Sequence, residues 1–155
     1  MDTFDIREME GRKRLEHFLT QNGVQKIVPT TNKYDEVDMY AKIKDKKYVF
    51  EIKVRSKIYD EIILSTNKVV AIEDRIKRYD LDGGFYACFY ENSLYLFDTV
   101  HCPKRLGYQY CPKTTSGYDN HYVQREVYYF DIKDAYKYEY SNNTWSNTYT
   151  PQYNK

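Results

Sequence analysis

Gly11, Leu15, Phe18 and Leu19 recur at helical spacing through residues 5–20, and Gly23 follows as a stop signal. The same stripe carries Glu8, a carboxylate on the side expected to face inward. Residues 24–28 form a short apolar run closed by Pro29, which reads as a first strand. Residues 37–43 and 48–54 alternate with period two on either side of the polar tetrapeptide 44–47, the pattern of an antiparallel hairpin. A second helix is predicted to start with Ser65 or Thr66 as its cap, to bury Val69, Ile72, Ile76 and Tyr79, and to stop at Gly83-Gly84. Residues 85–90 and 94–99 bracket Glu91-Asn92-Ser93 as a second hairpin. The predicted order is helix, three strands, helix, two strands. From residue 101 the pattern changes: eleven of the 19 tyrosines lie in 108–153, residues 127–132 are the one clear strand candidate, and the last fifteen residues, with Trp145 alone among them, read as a surface-hugging or partly mobile tail.

Composition narrows what such a chain can do. At 155 residues, 41% hydrophobic and 17% aromatic, it can bury one substantial core, and it is too apolar for a disordered polyampholyte. We expect a single domain over 1–155, with a core at about 5–99 and an extension over 100–155. Lys+Arg number 24 against 23 Asp+Glu, so bulk charge names no partner. No stretch approaches the roughly 20 uncharged apolar residues of a membrane span, and the acidic start is unlike a signal peptide, so a cytoplasmic location is expected. Cys88, Cys102 and Cys111 are sparse and odd in number, which fits reduced thiols, with Cys88 in the core.

The chemistry lies in the first hairpin. Residues i and i+2 of a strand share a face, so Phe50, Ile52 and Val54 point one way and Glu51, Lys53 and Arg55 the other. On the preceding strand Val37, Met39, Ala41 and Ile43 form the apolar face, which leaves Asp38 opposite. A connection of two or four residues places Asp38 on the face of Glu51 and Lys53, and the alternation of both strands selects that register. Two carboxylates and an ammonium on one sheet face suit phosphodiester hydrolysis, because carboxylate oxygens are hard ligands for Mg²⁺ and the cation with a lysine can orient a water and offset developing charge.

Asp38, the Glu51-Ile52-Lys53 signature thirteen positions later, and the order of elements resemble the PD-(D/E)XK nuclease superfamily over about 5–99. The resemblance implies an α/β, restriction-endonuclease-like αβββαβ core, a mixed central sheet flanked by helices, here followed by a Tyr-rich β/irregular extension. It implies a DNA nuclease in which Asp38, Glu51 and the backbone carbonyl of Ile52 bind Mg²⁺ or Mn²⁺ while Lys53 positions the water. Many members add a glutamate from the first helix, for which Glu8 is the candidate and Glu10 the second. Val37 stands where a proline often precedes the first acid. Lys68, a cation in a first helical turn that opposes the helix dipole at a cost of about a few tenths of a kcal/mol, matches a basic residue that faces the scissile phosphate in similar nucleases.

Other readings compete. Asp45-Lys46-Lys47 and Asp131-Ile132-Lys133 share the signature spacing, the latter with Asp119 upstream, yet only 37–54 sits in a two-strand alternation followed by helix and strand. From Lys42 to Lys57 seven basic residues face two acidic ones, a strip with Lys42, Lys44, Arg55 and Lys57 that suits phosphates. His101, Cys102, Cys111 and His121 match no compact zinc spacing. The same fold without the reaction would be a nucleic-acid-binding or assembly protein, and a third alternative is a Tyr-rich interaction protein docking a partner through its tail. A homodimer, which the sequence leaves open, would bring two sites to two strands. The excess of tyrosine, asparagine and lysine hints at an AT-rich genome such as a phage's.

Overall fold

The computed structural model of the chain describes residues 3–31, 35–112 and 122–153. Helix α1 (Thr3–Gln21) leads into strand β1 (Val24–Pro29) through Gly23, whose φ of 77° is the left-handed conformation that ends helices. Strands β2 (Met39–Ile43) and β3 (Lys46–Val54) form the expected hairpin. Its turn is the dipeptide Lys44-Asp45, both at positive φ, and Ile43 pairs with Lys46. Two-residue turns of this kind match the right-handed twist of the flanking strands and fix the even-to-odd register. Strand β4 (Glu61–Ser65), helix α2 (Thr66–Arg78), and strands β5 (Gly83–Tyr90) and β6 (Ser93–Asp98) follow. Strands β7 (Arg105–Pro112) and β8 (Tyr122–Asp131), a 3₁₀ turn at Ile132–Asp134, and strands β9 (Tyr136–Ser141) and β10 (Thr144–Tyr149) complete the described order.

Seven strands make a mixed sheet in the order β1-β2-β3-β5-β6-β9-β10, in which only β3 and β5 run parallel, and β4-β8-β7 make a second sheet. One helix lies on each face of the large sheet. On the α1 side Leu15, Phe18 and Leu19 pack with Met39, Phe50, Phe89 and Trp145; on the α2 side Val69 and Ile72 pack with Val49, Tyr86, Phe97 and Phe130. Gly11 allows α1 to approach β3 closely, since a Cβ there would sit 2.8 Å from Ile52 Cγ2 and 3.2 Å from Val54 Cγ2.

Several expectations need correction. The first strand of the hairpin begins at Met39, and Val37, in the bend before it, is buried on the α2 side rather than beside Met39. The Glu51 face of β3, read from its charged residues alone, also carries core, because Val49 on it lies beneath α2. Helix α2 ends at Arg78, so Tyr79 is its exposed cap and Gly83-Gly84 already belong to β5, where the residue without a Cβ is required: at Gly84 a Cβ would meet Ile72 Cγ2 at 2.5 Å. Most of the last fifteen residues are no tail, since 141–149 belong to a hairpin that begins at Tyr136. Asn142 and Asn143, both at positive φ, turn a hairpin whose β9 extends the main sheet beside β6. Trp145 is 4% exposed, and the Gln21 amide grips its backbone twice, donating to Trp145 O (2.6 Å) and accepting from Trp145 N (2.7 Å).

Candidate active site

Strand β3 outruns its neighbour. On the β5 side it is paired from Tyr48 to Val54, whereas on the β2 side pairing ends with Met39 opposite Phe50, so residues 51–54 present an open edge between the N-terminal parts of α1 and α2. Asp38 stands at the point where β2 peels away. Its N–H donates to Phe50 O (3.0 Å), and its Oδ2 accepts from Ile52 N (2.8 Å), so a carboxylate takes the place of the missing strand's next carbonyl. The register puts Asp38 directly across from Glu51. A cleft of about 360 Å³ opens here, lined by Arg7, Glu8, Arg12, Asp35, Asp38, Glu51, Ile52, Lys53, Val54 and Lys68.

Glu51 is 8% exposed. Its Oε1 lies 3.4 Å from Lys68 Nζ, and its Oε2 is buried without a hydrogen-bond partner. Burial first, and the facing Asp38 carboxylate second, push its carboxyl up to about 8, with Lys68 opposing in part. Lys53, half-buried on the same face, has its ammonium pKa lowered, first by burial and then by the neighbouring Arg55 cation. The Lys68 main chain is fixed by the Ser65 cap, whose Oγ accepts from Lys68 N (3.4 Å), while its ammonium also donates to Glu36 O (3.1 Å). The unfavourable dipole position of Lys68 thus has a local reason: its ammonium lies against the buried Glu51 carboxyl and offsets part of the rise that burial imposes on its pKa.

The glutamates of α1 divide. Glu8 lines the cleft, but its Oε1 lies 3.5 Å from Arg12 Nη2; Glu10 points elsewhere, toward Arg14 (3.9 Å). Arg12 was absent from the sequence expectations. It donates to Thr30 O (2.7 Å) and lies 3.9 Å from Asp38 Oδ1, so it braces the entry of β2. The available signal was its place four residues after Glu8, on the same helical stripe. The basic strip does not gather at the cleft: Arg55 turns into the interior, donating to Ile63 O (2.9 Å) and Tyr86 Oη (2.7 Å), and Lys44 lies in the far turn.

The competing signatures are engaged elsewhere. Asp131 caps the 3₁₀ turn through Lys133 N (2.9 Å), and Asp45 accepts from the Gln25 amide (3.1 Å); Asp119 lies outside the described residues. His101 pairs with Asp98 (2.9 Å), Cys102 is buried with its thiol pushed up to about 12 by burial, and His121 lies outside the described residues. Among the described residues, no three His, Cys, Asp or Glu side chains are gathered as a metal-ligand set, and no helix is long and apolar enough to cross a membrane. The residues that could hold a hard divalent cation are Asp38, Glu51 and the Ile52 carbonyl. The buried, unpartnered Glu51 Oε2 is the observation in their favour, since a buried charge-bearing oxygen without a donor calls for a cation.

No protein-family model matches the sequence, and no curated protein does. Among solved structures the fold is similar to that of Hjc, a Holliday junction resolvase from the archaeal hyperthermophile Archaeoglobus fulgidus, with a TM-score of 0.55 over 80% of this chain and 83% of that chain, at 13% sequence identity. The likeness bears out the restriction-endonuclease-like fold expected from the residues of the first hairpin.

Proposed function

We propose that this protein is a divalent-cation-dependent nuclease that hydrolyses DNA phosphodiesters at the open edge of β3. What carries the proposal is the juxtaposition of Asp38 with Glu51, one of whose oxygens is buried with no partner. Asp38, Glu51 and the Ile52 carbonyl would hold Mg²⁺ or Mn²⁺, which when bound supplies Lewis-acid stabilisation of charge developing on the phosphate. Lys53, whose desolvated ammonium gives up its proton more readily, would as the neutral amine orient the attacking water at Nζ and take its proton, while the departing DNA oxygen is protonated from solvent. Lys68 and Arg12 place positive charge on the cleft walls, where an incoming phosphate is drawn against the acidic floor. Since the similar Hjc acts on Holliday junctions, branched DNA is the first substrate to offer, beside single-stranded and duplex DNA. Cleavage requiring Mg²⁺ or Mn²⁺ is expected in the wild type and is expected to vanish in Glu51→Ala and Lys53→Ala; cleavage that survives in either variant overturns the assignment.

The position of Lys68 favours a second function on the same fold. Its ammonium already sits 3.4 Å from Glu51, as a resident cation would, which suits a DNA-binding or assembly domain without the reaction. Calorimetry separates the two: Mn²⁺ uptake that depends on Asp38 and Glu51 supports the nuclease, and no uptake with DNA present supports the binding domain.

A further inference from the structure

The sheet face that carries the two carboxylates continues beyond the cleft. Cross-strand partners share a face, and Val28 pairs with Tyr40, Lys26 with Lys42, and Lys42 with Lys47. Asp38, Tyr40 and Lys42 therefore follow one another along one face, about 7 Å apart at each step. Helix α2 covers this face over β3 and β5 and ends before β1 and β2, which leaves an open groove of about 520 Å³. Val28, Tyr40 and Tyr79 are among its apolar lining and Lys26, Lys42 and Lys47 its charged one. Tyr79 is 50% exposed and Val28 44%, and the Tyr40 and Tyr79 rings meet edge to face with centroids 5.8 Å apart. Among the described residues no carboxylate lines the groove and none of its three lysines is ion-paired; Asp82, beside Lys47 in space, accepts from the Lys47 backbone N–H (2.8 Å), and Asp35 lies near enough to Tyr40 to act on its hydroxyl.

An exposed aromatic floor flanked by unpaired ammonium groups complements a polyanion that offers flat apolar rings. Bases in a duplex spend their faces on each other, whereas unpaired bases have them free to stack on tyrosine while lysines take the phosphates. We infer that this groove binds an unpaired DNA strand. The binding stands on the groove alone and is independent of the nuclease function proposed above.

The test measures fluorescence anisotropy of the full chain, without divalent cations, on a labelled oligothymidylate longer than the roughly 4–16 nucleotides such grooves cover, and on a blunt duplex of the same length. Tyr79→Ala is expected to weaken oligothymidylate binding about tenfold, one stacked base's worth, and to leave the duplex within about twofold. Lys26→Gln with Lys47→Gln should lower the slope of log affinity against log salt by about 1.4 for the single strand. No oligothymidylate binding by the wild type, an unchanged affinity in Tyr79→Ala, or equal losses on both DNAs overturns the inference. So does a change in sedimentation of free Tyr79→Ala with unchanged DNA affinity, which would make the groove a protein interface. The two proposals fail separately: Tyr79-dependent strand binding without any cleavage removes the reaction and keeps the groove, and Glu51-dependent cleavage with Tyr79-independent binding does the reverse.

Discussion

Replacing Glu51 with glutamine isolates the cost of keeping a carboxylate under α2. The glutamine has the same shape and its Oε1 can still accept from Lys68, so the substitution removes mainly the ability to ionise. In the folded protein the Glu51 carboxyl titrates at about 8, against 4.5 ordinarily. Between these values the folded chain retains a proton that the unfolded chain releases, so wild-type stability falls as pH rises through this window. Each pH unit is worth about 1.4 kcal/mol, which makes the penalty about 4 kcal/mol near pH 7.5 and less than about 1 kcal/mol near pH 5. The stability of Glu51→Gln relative to wild type should therefore grow by about 3 kcal/mol over that interval, whatever constant effect the substitution has. Urea denaturation of both proteins at a series of pH values, in chelator, reads this directly. Adding Mn²⁺ near pH 7.5 should restore wild-type stability and leave the variant unmoved. Parallel pH curves for the two proteins would refute the idea that Glu51 is a desolvated acid awaiting a cation.

Four further outcomes follow from particular contacts. Lys68→Met removes the charge that holds the Glu51 pKa down, so the alkaline rise in cleavage rate should move to higher pH, as a pH–rate profile will show. Because Glu51 is mostly protonated near neutrality, Mn²⁺ binding should release about one proton, visible as a dependence of calorimetric heat on buffer ionisation enthalpy. Gly11→Ala forces a methyl to 2.8 Å from Ile52 Cγ2, which should cost about 1–3 kcal/mol in thermal unfolding and depress cleavage through the shifted β3 edge. Trp145→Ala should cost about 3–5 kcal/mol by urea midpoint, a loss a mobile tail would not suffer.

The hairpin geometry was legible because alternation and turn length fix register together: Asp38 and Glu51 had to share a face once Ile43 met Lys46. Ser65 as cap and Val69 and Ile72 as the buried stripe were readable for the same local reason. What escaped was set by distant partners. Strand β4 is a short run whose edge is satisfied by β8, more than sixty residues later. The C-terminal hairpin did carry a signal, since Tyr136, Tyr138 and Tyr140 alternate ahead of Asn142-Asn143, but tyrosine and asparagine read as polar surface until one knows that α1 leaves a hydrophobic face beyond β6 for them to cover. Arg12 and Lys68 acquire their meaning only through carboxylates contributed by other elements.

The Gln21 clasp on Trp145 ties residues separated by 124 positions. During synthesis, Leu15, Phe18 and Phe89 lack their aromatic lid until β10 has left the ribosome. A truncated translation product thus keeps the Asp38–Glu51 hairpin while missing the wall that steadies α1 against it. Nascent fragments should accordingly be protease-sensitive, and maturation of the fold should occur as one late, cooperative event.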